Sequence, residues 1–205
     1  MSRILACTKE NIDIAVEVLK SGNLVAFPTE TVYGLGGNAY SDEAATRIYA
    51  CKNRPKTKAL SVCYASLEKA CEDVEMDDRM RVLAEKLLPG PVTLVLRRHF
   101  GTRLSRLCMD GSMVAIRISS NPIALHLLSQ LPFPLAAPSA NISGEPSPIT
   151  AEQVSTALRD RAVIVLDGGT CSYGKESTII DLANKKILRH GAMGEQEINR
   201  IIHEL

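Results

Sequence analysis

Apolar residues recur at helical spacing early in the chain: Ile14, Ala15, Val18 and Leu19 predict a helix near residues 10–20, which Ser21-Gly22 stops. Leu24-Val25-Ala26-Phe27 follows as a short buried strand. Ser41 caps a predicted helix over 42–51, with Asp42 and Glu43 where the helix dipole favours negative charge. Leu60 to Tyr64 reads as a strand, and two helices near 66–72 and 77–88 run into Pro89-Gly90-Pro91, a rigid corner before the strand Val92 to Leu96. Met113 to Arg117 is another strand, and Asn121-Pro122 opens a helix over 122–130. Leu135-Ala136-Ala137 is a short strand entering the polar loop Pro138 to Pro148, after which Thr150 and Gln153 stand at capping-box spacing. Strands near 162–166, 177–182 and 185–189 and a helix near 194–203 complete a mixed α/β pattern. With no repeat, low-complexity tract or long linker, residues 1–205 are expected to form a single domain.

Composition narrows the classes. The chain has 205 residues, 45% hydrophobic and 23% charged, enough to bury a substantial core. No apolar run approaches the roughly 18 residues of a membrane span, and the first residues lack a signal-peptide stretch, so a cytoplasmic location is expected. Six scattered cysteines form no C-x-x-C pair and read as reduced, packed thiols. A net charge of +1 does not predict an avid nucleic-acid binder, and any basic site must be local.

Two phosphate-binding signatures fail on inspection. Gly169 to Lys175 begins like a Walker A loop, but Glu176 replaces the hydroxyl that should hold magnesium, and Ser177 to Leu182 is β-like where a helix is required. Gly34-Leu35-Gly36-Gly37 resembles a dinucleotide turn without its acidic residue about 20 positions on, so a plain glycine-rich turn is the better reading. No G-x-S-x-G elbow is present, and the four histidines announce neither a triad nor a metal cluster. His126 reads as packed or partly solvated.

Four stretches are harder to explain as scaffold alone. Phe27 to Gly36 leaves a strand with two threonines and Glu30 on backbone stiffened by Pro28; a capped turn and a site fit it equally. Lys52-Asn53-Arg54-Pro55-Lys56-Thr57-Lys58 packs four cations into seven residues, which suits either a solvated helix end or an anion site, with the cations projecting from the helix terminus. Pro138 to Pro148 crowds hydroxyl and amide groups between prolines, a turn or a nucleotide grip. Gly174 to Thr178 enters one strand, and Arg189 ends the next.

Taken together in this order, with Pro89 to Thr93 and Val114 to Arg117, these blocks resemble the YrdC-like threonylcarbamoyl-AMP synthase family from about residue 10 to residue 203, in its short, single-domain form. The resemblance implies a twisted mixed β-sheet flanked by helices, with a basic concave cavity. It implies an enzyme that forms threonylcarbamoyl-adenylate and pyrophosphate from L-threonine, bicarbonate and ATP, with Mg2+ entering on the ATP. The product would pass to a tRNA threonylcarbamoyl transferase complex for N6-threonylcarbamoyladenosine formation, with weak tRNA binding and no membrane contact.

By the same resemblance, Lys52 and Arg54 are the catalytic cations, stabilising phosphate or carbamate charge. Threonine falls to Thr31, Cys63, Arg117, Ala137 and Ser177, and the nucleotide to Arg54, Lys58, Ser139, Asn141, Ser147 and Arg189; no metal ligand is implied. Two positions depart from the family pattern: Lys58 stands for an asparagine, and Cys63 for a histidine that often contacts threonine, which opens a differently shaped amino-acid pocket. Two other readings compete. An RNA-binding or ribosome-assembly factor using the same cavity would want exposed aromatics, and the chain has no Trp, three Phe and five Tyr. Carbamoyl-adenylate chemistry with another acceptor would want partner domains.

Overall fold

The computed structural model describes residues 3–158 and 164–203. Among them, eleven strands join one mixed sheet and seven helices surround it. The strands are β1 (Arg3–Ala6), β2 (Val25–Phe27), β3 (Gly34–Asn38), β4 (Val62–Cys63), β5 (Val92–Arg97), β6 (Met109–Asp110), β7 (Met113–Arg117), β8 (Leu135–Ala136), β9 (Ile164–Asp167), β10 (Thr178–Asp181) and β11 (Lys186–Arg189). The helices are α1 (Lys9–Lys20), α2 (Asp42–Lys52), α3 (Leu67–Ala70), α4 (Asp78–Leu87), α5 (Pro122–Ser129), α6 (Ala151–Ala157) and α7 (Glu195–His203). Across the sheet the order is β1-β9-β2-β3-β8-β4-β7-β5-β10-β11, with β6 hanging on β7. The expected mixed α/β class is borne out.

Caps fall where side-chain chemistry puts them. Thr8, Ser41, Ser66, Asp77 and Asn121 each accept a first-turn N–H, which satisfies donors that a helix start leaves open. Gln153 reaches back to the Ile149 N–H at 2.7 Å, one residue before the one a capping box would bond. The buried face of α1 is Ile12, Ala15, Val16 and Leu19, so the expected stripe is rotated and Ile14 lies exposed. The part of the expected 162–166 strand at 162–163 lies outside the described residues; β9 is described from Ile164.

The expected glycine-rich turn after Tyr33 is instead strand β3, antiparallel to β2. A Cβ on Gly36 would stand 2.9 Å from the Phe27 ring, and one on Gly37 would stand 2.8 Å from Leu24. Glycine is there to let those side chains close over the strand, not to turn the chain.

Strand alternation then decides where the cavity can be. In β2 and β9, neighbouring residues feed opposite apolar clusters: Ala26 and Val165 one, Val25, Phe27 and Leu166 the other. Both faces are covered there. In β5, β7 and β10 only one face feeds a cluster, through Val92, Leu94, Leu96, Val114, Ile116 and Ile180. The other face carries Thr93, Ala115, Arg117 and Ile179, with Ser177 just ahead of β10; all lie outside both clusters and line a cavity.

Candidate active site

The cavity holds about 170 Å³. Its floor is this small-residue face, where Thr93 and Ser177 share a hydroxyl contact of 2.7 Å. Arg117 ends β7 on the same face; its Nη2 stands 2.9 Å from Glu30 Oε1 and 3.4 Å from Thr29 Oγ1. Both ion-pair partners are buried. Among the described residues the Arg117 Nε is a buried donor with no partner, and Glu30 Oε1 has no aligned hydrogen bond, so the contact is one of charge.

One wall comes from the end of β8. The Ala137 N–H donates to the Ser61 carbonyl at 2.8 Å and the Ser61 hydroxyl to the Ala137 carbonyl at 3.2 Å, which fixes the start of the Pro138–Ser139 segment. Opposite stand two more guanidinium groups. Arg54 donates to the carbonyls of Lys58 and Ala59 at 3.1 and 2.9 Å, bending the segment after α2 back on itself. Arg189 donates to the Ser177 carbonyl at 3.3 and 2.8 Å. Burial presses on the Arg189 charge, and the nearby Arg117 and Arg54 cations press the same way, while Glu176 offsets them. The Ser147 hydroxyl donates to Glu176 Oε1 at 2.6 Å and is the chief cause holding that carboxyl below its ordinary range. Three arginines, four hydroxyls and one carboxylate thus face one space, a donor set suited to a large anion.

Of the residues singled out in the sequence, Arg54, Arg117, Ala137, Ser139, Ser177 and Arg189 line this cavity. Lys52 corrects the expectation of a projecting cation. Asn53 caps α2 in the left-handed conformation, and the Lys52 side chain turns inward until it is 1% exposed. Its Nζ donates to the backbone carbonyls of Ser139 and of Asn141, the latter at 2.6 Å, and the Lys52 carbonyl accepts from the Ser143 N–H. Burial, with the Arg54 cation beside it, brings the ammonium from its ordinary 10.5 down to about 8.

Asn141 belongs to the same arrangement, its Oδ1 accepting from Ser139 and its Nδ2 donating to the carbonyls of Ile142 and Glu145. Thr31 is buried beside Thr29, Lys58 is exposed, and Ser147 reaches the cavity through Glu176. Cys63 lies outside the lining, 2% exposed in the apolar cluster with Phe27 and Leu135, and burial pushes its thiol up to about 11. Sequence reasoning missed Thr93, Ser61 and Glu176 as lining residues and Glu30 as the partner of Arg117. Thr93 carried a signal: it is the one hydroxyl in the apolar run Val92 to Leu96.

A family model described as Sua5_yciO_yrdC, Telomere recombination, matches residues 17–191. The curated threonylcarbamoyl-AMP synthase of Pyrococcus abyssi is 40% identical over 198 residues, 95% of this chain and 58% of the relative. The putative threonylcarbamoyl-AMP synthase of Methanocaldococcus jannaschii is 31% identical, with 94% of this chain and 91% of the relative covered. The crystal structure of P. abyssi Sua5 complexed with L-threonine superposes with a TM-score of 0.91 at 38% identity, covering 100% of this chain and 62% of that one. The chain therefore spans little more than half the length of the P. abyssi relative it matches. A match over most of the chain, in model, sequence and structure alike, places it in the Sua5/YciO/YrdC family.

Proposed function

We propose that this chain makes threonylcarbamoyl-AMP from L-threonine, bicarbonate and ATP. The observation that carries the reading is the convergence of Arg54, Arg117 and Arg189 on one cavity whose floor offers the Thr93 and Ser177 hydroxyls. The names of the relatives and the threonine complex of one of them support the same substrates. In the first step the neutral amine of threonine attacks bicarbonate, a C–N bond forms, and water leaves. The resulting carbamate oxygen attacks the α-phosphorus of ATP, and the bond to the bridging oxygen breaks to release pyrophosphate. Anions must meet in both steps, so positioning and charge stabilisation are the protein's main tasks.

In this reading the buried, unused donor of Arg117 takes the threonine carboxylate, with Ser177, Thr31 and the backbone at Ala137 around the rest of the amino acid. Arg54 and Arg189 face the phosphates, Ser139 and the Asn141 turn flank the nucleotide, and Lys58 reaches in from the rim. Lys52 acts from beneath, by holding the turn. The magnesium that accompanies ATP is part of the substrate. The adenylate product would pass to an enzyme that transfers the threonylcarbamoyl group to tRNA. The two apolar clusters share one sheet, which supports reading the described residues as a single domain. No helix among the described residues is long and apolar enough to cross a membrane.

The test is to incubate purified protein with ATP, magnesium, bicarbonate and each amino acid in turn and to measure pyrophosphate. Release that needs both threonine and bicarbonate is the expected result. Release without threonine, or none at all, would refute the reading.

A further inference from the structure

We infer that Glu30 positions Arg117 and, through it, makes the cavity floor select a zwitterionic amino acid over a simple carboxylic acid. The inference rests on the reading of Arg117 as the carboxylate ligand. Glu30 is fixed at both ends. Its backbone carbonyl accepts from the Tyr173 N–H at 2.9 Å and the Ser172 hydroxyl at 3.1 Å, and its carboxylate accepts from the Ser119 hydroxyl while facing Arg117 at 2.9 Å. Arg117 side-chain exposure is 10% and that of Glu30 is 6%, so solvent screens the pair little.

Geometry divides the guanidinium into two parts. Nη2 is committed to Glu30 and Thr29, whereas Nε is buried and unpaired. A ligand carboxylate on Arg117 therefore shares its cation with a carboxylate behind it. The Arg117–Glu30 pair is close to neutral before binding, and a bare carboxylate on Arg117 would leave one negative charge that this pair does not compensate. An α-ammonium on the same ligand supplies the missing positive charge, so the zwitterion gains and the simple acid does not. Arg54 and Arg189, on the other walls, are left for phosphate.

The test compares binding of L-threonine with binding of its 2-hydroxy counterpart, 2,3-dihydroxybutanoate of matching configuration, by calorimetry on the parent, Glu30→Gln and Glu30→Asp. The parent is expected to prefer threonine, Glu30→Gln to lower that preference by about tenfold or more, and Glu30→Asp to restore part of it. A loss of fold or general loosening would weaken both ligands alike, so an unchanged ratio overturns the selection. Ser119→Ala, which leaves both charges in place, serves if Glu30→Gln does not fold; it should lower the ratio in the same direction by less. The nitrogen NMR signal of Arg117 Nε decides positioning separately: it should shift and exchange faster in Glu30→Gln, and an unmoved signal overturns the positioning role. A parent that binds no threonine refutes the threonine reading and the selection with it, while the Nε signal still decides whether Glu30 sets Arg117.

Discussion

Lys52 Nζ lies 2.6 Å from the Asn141 carbonyl and also binds that of Ser139, so the last residue of α2 holds both sides of the turn that faces the cavity. Lys52→Ala removes these bonds at once and leaves two buried carbonyls unpaired. The expected loss is about 2–4 kcal/mol of stability together with most of the synthesis. Denaturant unfolding and pyrophosphate release measure the two. A variant that unfolds like the parent but is inactive would return Lys52 to the chemistry itself.

The lowered Lys52 ammonium makes that stability depend on pH in a definite direction. Its proton is bound more weakly in the folded chain, at about 8, than at the ordinary 10.5. Between those values the unfolded chain holds more protons at this site, and the Lys52 contribution to stability rises with pH. The advantage of the parent over Lys52→Met should therefore grow from about pH 8 to 10.5 and stay flat below pH 7. Taking the difference between the two proteins cancels the buried thiols and tyrosines, which titrate in the same range.

Arg54 contrasts with Lys52 two residues away in fold role and exposure. It donates to the carbonyls of Lys58 and Ala59 within its own loop, and it is half-buried at the cavity wall. Arg54→Ala should cost about a hundredfold or more in synthesis while moving the unfolding midpoint little. Turnover near that of the parent would take Arg54 out of the mechanism.

Much of this was legible from local chemistry. Side-chain caps at Ser41, Asn121 and Thr150 placed three helix starts, and the Met113 to Arg117 pattern placed both a strand and the arginine at its end. What was not legible depends on contacts far apart in the chain. Lys52 read as a cation projecting from the helix end because its carbonyl partners lie 87 and 89 residues on. Gly34 to Asn38 read as a turn because it is side chains packed against it, Phe27, Leu24, Leu135 and Ile48 among them, that make glycine necessary in a strand. The Glu30 partner of Arg117 is likewise set by topology, which brings the loop after β2 beneath the end of β7.

Gly191 is a second place where tertiary contact dictates the residue. A Cβ there would lie 2.3 Å from the Ser177 carbonyl carbon and 2.4 Å from the Thr178 nitrogen, both backbone atoms that cannot swing away. The same backbone supplies the Ser177 carbonyl held by Arg189. Gly191→Ala should thus destabilise by roughly 2–4 kcal/mol and raise the Michaelis constants for both threonine and ATP, since Ser177 and Arg189 move together. A neutral substitution, read by thermal unfolding and initial rates, would show that β11 can shift freely from the site.

Cys63 ends β4 in register with Arg117 on one side and Leu135 on the other, so it shares the sheet face of Arg117, but its side chain packs into the cluster with Phe27 and Leu135 and stays outside the cavity lining. Because Cys63 lies outside the cavity lining, substituting the histidine of the family pattern does not restore a ligand in this chain. An imidazole is larger than a thiol, and it would have to fit between the apolar cluster and the Arg117–Glu30 pair, whose charges both act at Cys63. The expected result for Cys63→His is a loss of about 1–3 kcal/mol in stability, with threonine affinity falling because β4 displaces the adjoining end of β7. Cys63→Ala, which opens only a small space, should keep threonine affinity within about threefold of the parent and lose about 1 kcal/mol of stability. The two variants together separate packing from contact: if Cys63→Ala lost threonine binding while Cys63→His kept it, the side chain at 63 would have to touch the amino acid, and the packing account would be wrong.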